Sequence, residues 1–190
     1  MNVVVVYGSV RRARQGIKAA RFIVKKLAER AHEVTLLDPL ELALPLLDRM
    51  YKEYEAGTAP EPLPTIAGHL ARADAFVIVT GEYNHSVPPA LSNLLDHFLE
   101  EWYWRPSAIV SYSAGGYGGV RAGVHLRAML CELGMPSIPS MFPIPRVRSA
   151  FDDAGVAQDA ALDKRVVRFL DELEWYAGAL AEARKRGTPY

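Results

Sequence analysis

Four consecutive β-branched residues, Val3-Val4-Val5-Val6, constrain this chain more than anything else in it. A run with no polar face belongs to a strand covered on both sides. Such cover needs one layer above and one below, so a sheet sandwiched between helices is the architecture to expect.

The remaining segments alternate as that architecture requires. A helix is predicted from about Gln15 to Arg30, where Ile17, Ala20, Phe22, Ile23, Leu27 and Ala28 fall mainly on one face. Glu33–Asp38 reads as a second strand. Prolines 39, 45, 60, 62 and 64 make residues 39–64 an irregular excursion with one helical turn, of the kind compact domains use as lids or interface segments. A short helix over Ile66–Arg72, a strand over 75–80 and a helix over 88–101 follow. The last carries a core stripe of Leu91, Leu94, Leu95, Phe98 and Leu99. Ser107–Tyr112 is a fourth strand, leading through Ser113–Gly119 into a helix that ends near Leu133. Four prolines within 136–145 predict a fifth strand that is short, interrupted or at an edge. The final helix, Asp159–Arg186, presents Val166, Val167, Leu170, Leu173 and Leu180 as an apolar face. With no internal repeat, residues 1–190 read as one three-layer α/β domain. Five parallel strands favour the flavodoxin-like order over a full dinucleotide fold.

Lys+Arg and Asp+Glu both number 22, so no net field draws nucleic acid or a membrane surface. Any anion must be held locally. Met1 to Tyr7 form a strand rather than a leader, and no apolar run approaches the ~20 residues of a membrane span, so a cytoplasmic location is expected. Cys131 cannot form an internal disulfide, and its apolar helical context predicts a buried thiol. His32, His69, His85 and His97 lack the spacing of a metal site. His32 and His69 are expected at the surface. The adjacent pair Asp96-His97 diverges by about 100° on its helix and is expected at a surface or interface.

Three turns carry the chemistry. In Gly8-Ser-Val-Arg-Arg-Ala-Arg-Gln-Gly16, a hydroxyl, the forked Arg11 and Arg14, and amides at a helix N-terminus together suit a phosphate. The arginines should outweigh the helix dipole: a charge-assisted hydrogen bond contributes about 1.5–3 kcal/mol, the dipole about 0.3–1. The turn is neither a Walker loop nor a G-x-G-x-x-G. Gly81–Ser86 offers Asn84 as donor and acceptor, Tyr83 as an aromatic face, and Ser86 as an N-cap for the helix beginning at the prolines. Ser113-Ala-Gly-Gly-Tyr-Gly-Gly119 lets backbone amides approach a planar ligand. Ser111-Tyr-Ser-Ala-Gly115 comes near a hydrolase nucleophile elbow, but no acid lies between Ser113 and His125, and the required order fails.

In this order and on these elements the three turns resemble the NADPH-dependent FMN reductase family of flavodoxin-like proteins, over Met1 to about Leu133. Gly8-Ser9-x-Arg11 with Arg14-Gln15-Gly16 is similar to the family's phosphate loop. Glu82-Tyr83-Asn84-His85-Ser86-x-Pro88, continuing to Leu91, Asn93, Leu95 and Asp96, is similar to its most specific motif. Ser113-Ala114-Gly115-Gly116 is similar to its third loop. The family usually has proline where this chain has Gly81, and often lysine at Ser92. The resemblance implies FMN bound non-covalently. Ser9, Arg11, Arg14, Gln15 and Gly16 would hold its phosphate, with Glu82, Tyr83, Asn84, His85, Ser113, Gly115 and Gly116 around its ring system. It implies NADPH or NADH as hydride donor and a small-molecule acceptor such as a quinone or free flavin. It also implies a homodimer or homotetramer, for which residues 39–64 and Trp102-Tyr103-Trp104 are contact candidates; the tryptophans suit a core equally. The flavin would carry the redox chemistry, so no catalytic side chain and no metal is assigned. A flavin-binding electron carrier or regulatory module without NAD(P)H activity is the alternative. Zero net charge, unlike that of acidic carriers, weighs against it.

Overall fold

A computed structural model describes residues 1–190. Its five strands are β1 (Asn2–Tyr7), β2 (Glu33–Leu37), β3 (Ala75–Gly81), β4 (Ser107–Tyr112) and β5 (Ser137–Ile144). They pair in the order β2-β1-β3-β4-β5, parallel throughout. This is the flavodoxin-like arrangement predicted above. The helices are α1 (Ile17–Ala28), α2 (Pro39–Leu42), α3 (Leu63–Arg72), α4 (Pro89–Asp96), α5 (Val120–Glu132), α6 (Val147–Ala150) and α7 (Ala160–Arg184).

Alternation along the strands divides the core in two. Val3, Val5, Tyr7, Val77 and Val79 pack with α1 and α7, while Val4, Val6, Phe76 and Ile78 pack with α3, α4 and α5. That division explains the unbroken valine run: both faces of β1 are interior. No helix is long and apolar enough to cross a membrane.

Several expectations change. The helix from 88 stops at Asp96, and residues Glu100–Trp102 form a separate 3-10 turn. Trp102 causes the break: it buries fully against Phe76, 4.9 Å between ring centroids, and its Nε1 donates to the Leu95 carbonyl. It is thus core rather than interface. β5 is eight residues long, not short, but it is an edge strand and irregular: Ser107 faces Ser137, yet Ile109 faces Met141. Cys131 is exposed, because the buried side of α5 runs through Ala122, Gly123, Leu126 and Leu130, and the next residue turns about 100° away. Val167 is exposed for the same reason beside buried Val166. His97 is buried, its Nδ1 2.7 Å from the Asn93 carbonyl. His32 and His69 are half-buried, paired with Glu174 and Thr35 respectively.

The 39–64 excursion holds the expected single α-turn, α2, plus a 3-10 turn at Tyr51–Glu53. Asn93 pins it to α4, accepting from Leu47 N at 2.9 Å and donating to the Pro45 carbonyl at 2.7 Å.

Candidate functional site

The three predicted turns leave the carboxyl ends of β1, β3 and β4, neighbours in the sheet. The chain order reverses between β1 and β3, the crevice where open α/β sheets bind ligands.

The first turn is anchored by Gly8 N donating to Val79 O at 3.0 Å. Ser9 is buried and its Oγ lies 3.2 Å from the Tyr83 hydroxyl, which ties the first turn to the second. Arg11 and Arg12 are exposed, and neither guanidinium has a partner in the protein. Arg14 differs from the expectation that it faces a ligand. Its guanidinium forks onto both carboxylate oxygens of buried Asp38, donates to the Ser9 carbonyl at 3.1 Å and lies over the Tyr7 ring. Asp38 directly follows β2 and caps α2 through Leu40 N, so Arg14 braces the turn from behind. Gln15 is half-buried, and no side chain caps α1 at Gly16. Of the first N–H groups of that helix, Lys18 N turns back to the Gln15 carbonyl at 3.2 Å, and the others remain for solvent or an anion.

The second turn is a tight reversal in which Tyr83 and Ser86 exchange both backbone hydrogen bonds, at 3.0 and 2.9 Å. Its central residues, Asn84 (φ 50°) and His85 (φ 64°), are both left-handed, a conformation disfavoured for side chains other than glycine. Such strain survives where the surroundings over-determine it, and both side chains are left exposed. Ser86 is not the N-cap. Pro88 holds that position, two residues later, and the Ser86 hydroxyl instead lies 3.3 Å from His125 Nδ1. Glu82 is 8% exposed and bonds Arg121 Nε at 2.8 Å, while its Oε2 is buried without a partner. Burial alone would raise its pKa. The Arg121 guanidinium and the amides of Arg121 and Ala122 outweigh that and hold the carboxyl below its ordinary value.

The third turn is held at its base by Ser111 Oγ donating to Gly118 O and by Arg146 N donating to Gly115 O. Ser113 Oγ donates to Gly115 O at 3.0 Å. Gly115 and Gly116 have open space where a Cβ would stand, leaving a flat backbone surface.

Beneath all three turns lies Tyr112. Its hydroxyl donates to Tyr7 Oη at 3.3 Å, and burial pushes both phenols up. Asp38, Tyr7, Tyr112 and Arg121 were not among the predicted site residues. The sequence signal for the tyrosines is that β1 and β4 each end in one, next to the turn, after aliphatic or small residues.

Sheet order and convergent turns define a flavodoxin-like α/β protein with a candidate ligand site at the carboxyl edge. The chain belongs to the NADPH-dependent FMN reductase family, which matches residues 1–148. It is 34% identical over 166 residues to a quinone reductase of Pseudomonas putida, covering 83% of this chain and 85% of that protein. An NAD(P)H-dependent FMN reductase of Saccharomyces cerevisiae is 31% identical over 152 residues, 71% of this chain and 76% of the relative. Among solved structures, the flavoenzyme NAD(P)H:(acceptor) oxidoreductase FerB from Paracoccus denitrificans superposes with a TM-score of 0.72 at 25% identity. That match covers 92% of this chain and 97% of FerB.

Proposed function

We propose that residues 1–190 form a single FMN-binding domain whose three turns hold FMN, and that the enzyme passes reducing equivalents from NAD(P)H to quinones or free flavin. The observation that carries this reading is the coupling of a phosphate-suited turn to a ring-suited turn through Ser9 and Tyr83, 3.2 Å apart. Family membership and the quinone reductase and FMN reductase names of the relatives support the same chemistry.

The residues present fit FMN. Arg11 and Arg12 are unpaired cations beside the uncapped start of α1, a match for a phosphate dianion. Asn84 and His85 are presented by a rigid turn, and Gly115 and Gly116 leave room for a planar ring. FMN, when bound, supplies the electron chemistry between donor and acceptor. The protein's part is to bind and orient. Arg14 and Asp38 fix the height of the first turn, and Glu82 with Arg121 locks the second turn to α5. The side chains of Gln15, Tyr83 and Ser113 line the same crevice in this reading. Exposed Leu46 and Leu47 on the excursion support assembly into a homodimer or homotetramer, and a cytoplasmic location suits NAD(P)H as donor.

The test is an anaerobic titration of the purified protein with FMN and then NADPH or NADH. Quenching of flavin fluorescence on mixing, followed by bleaching of the flavin colour and its return on adding a quinone, is the expected sequence. Binding without bleaching would refute the enzyme activity; no binding would refute the site.

A further inference from the structure

We infer that Tyr112 is a positioning residue for FMN, its ring setting the spacing between the phosphate turn and the turn that follows β3. This rests on FMN occupying the three turns as proposed.

Independent contacts converge on this one residue. A Cβ added at Gly16, in the first turn, would land on the Tyr112 ring itself, against Cζ and both Cε atoms. At Gly81, where the second turn begins, a Cβ would meet Cζ and Oη at 3.1 Å. At Gly119, closing the third turn, a Cβ would stand 2.6 Å from the Tyr112 carbonyl oxygen. The ring thus excludes a side chain at a defined point in the first and second turns, while the third closes on the main chain of the same residue. Its own place is fixed by Tyr7, whose ring stacks at 6.3 Å between centroids and whose hydroxyl accepts its hydrogen bond.

A core aromatic normally meets other side chains, which yield by small rotamer changes. Here the ring meets main chain, so its volume is converted directly into a backbone position. The ribityl chain limits the reach of FMN between phosphate and ring system, and holding it in one conformation to span displaced turns costs binding energy. An error in the spacing of the turns therefore appears as lost affinity, because a binding constellation tolerates misplacement of only about 0.5 Å.

A double-mutant cycle tests this, with FMN affinity read by fluorescence quenching and folding of each apoprotein read by circular-dichroism melting. Gly16→Ala forces the turn off the ring and weakens FMN binding by about 30-fold or more, and Tyr112→Leu weakens it by about 10-fold. In the double variant the smaller leucine makes room for the added methyl, so it binds FMN more tightly than Gly16→Ala alone. Tyr112→Phe, which keeps the ring, stays within about threefold of the wild type. Bound flavin in Tyr112→Leu shows an altered visible spectrum, which a purely structural loss would not produce. Should Gly16→Ala fail to fold, Gly81→Ala completes the same cycle with Tyr112→Leu. If the folded double variant is as weak as the product of the two singles, or Tyr112→Leu binds like the wild type, the role is refuted while the site stands. If the wild-type protein takes up no FMN, the site assignment fails and the role with it.

Discussion

Arg11 and Arg14 stand three residues apart in one turn, yet truncating them should produce opposite failures. Arg14 and Asp38 are 11% and 4% exposed as side chains, which places their pair in the buried regime. Removing one partner of such a pair leaves the other charge stranded, at a cost of about 3–5 kcal/mol. The Ser9 carbonyl also loses a donor, worth about 1 kcal/mol. Arg14→Ala should therefore lower the stability of the apoprotein by roughly 3–5 kcal/mol, with part of the loss relieved because Asp38 keeps the Leu40 N–H. Arg11 is exposed and unpaired, so Arg11→Ala should change stability by no more than about 0.5 kcal/mol. Its loss is felt by the ligand: one charge-assisted bond is worth about 1.5–3 kcal/mol, and exposure places it at the lower end, near tenfold in FMN affinity. Urea unfolding of the apoproteins and flavin titration of the folded variants measure the two quantities. The reasoning is refuted if Arg14→Ala unfolds within about 1 kcal/mol of the wild type, or if Arg11→Ala loses stability and keeps its affinity.

The same structure sets further expectations. Glu82 is held below its ordinary value of 4.5 in the folded protein, so its stabilising contribution is complete above that pH and drains away as pH falls through the lowered value. Glu82→Gln should then melt below the wild type near neutral pH, with the two melting profiles converging in acid; a constant gap across pH would contradict the ion pair. Trp102→Ala empties a fully buried site between Phe76 and Phe98 and should cost about 3–5 kcal/mol by chemical denaturation. Trp102→Phe removes the Nε1 bond to Leu95 together with part of the ring, and a loss as large as that of alanine would argue against the packing account. Asn93→Ala releases two of the bonds that pin the excursion and leaves the Tyr51 N–H bond to the His97 carbonyl, so limited proteolysis within residues 44–58 should accelerate while the melting temperature drops by only a few degrees. Unchanged cleavage kinetics would mean that the Tyr51 N–H bond to the His97 carbonyl, with Tyr51, Tyr54 and their apolar neighbours, holds the segment down.

What could be read from the chain, and what could not, divides along one physical line. The strands, the layers and the three turns follow from periodicity and from residues acting on their immediate neighbours, and the count of five strands favours their order. A valine run declares burial on two faces, and a glycine cluster declares an open backbone. Side-chain partnerships across the sheet leave no such trace. Nothing in Gly8–Gly16 says that Arg14 turns inward, because the reason is Asp38, 24 residues away just past β2. Read alone, Arg11 and Arg14 are equivalent; the fold makes one a ligand candidate and the other a brace. Gly81 shows the same limit. As a departure from the family's proline it looks like a loss of rigidity, yet the Tyr112 ring standing 3.1 Å from its missing Cβ gives it a steric reason. The unusual residue of one turn is thus explained by the terminal residue of another strand. Substitutions at such positions have to be judged in pairs, since the residue that departs from a pattern and the residue that permits the departure lie far apart in the chain and within a few ångströms in the fold.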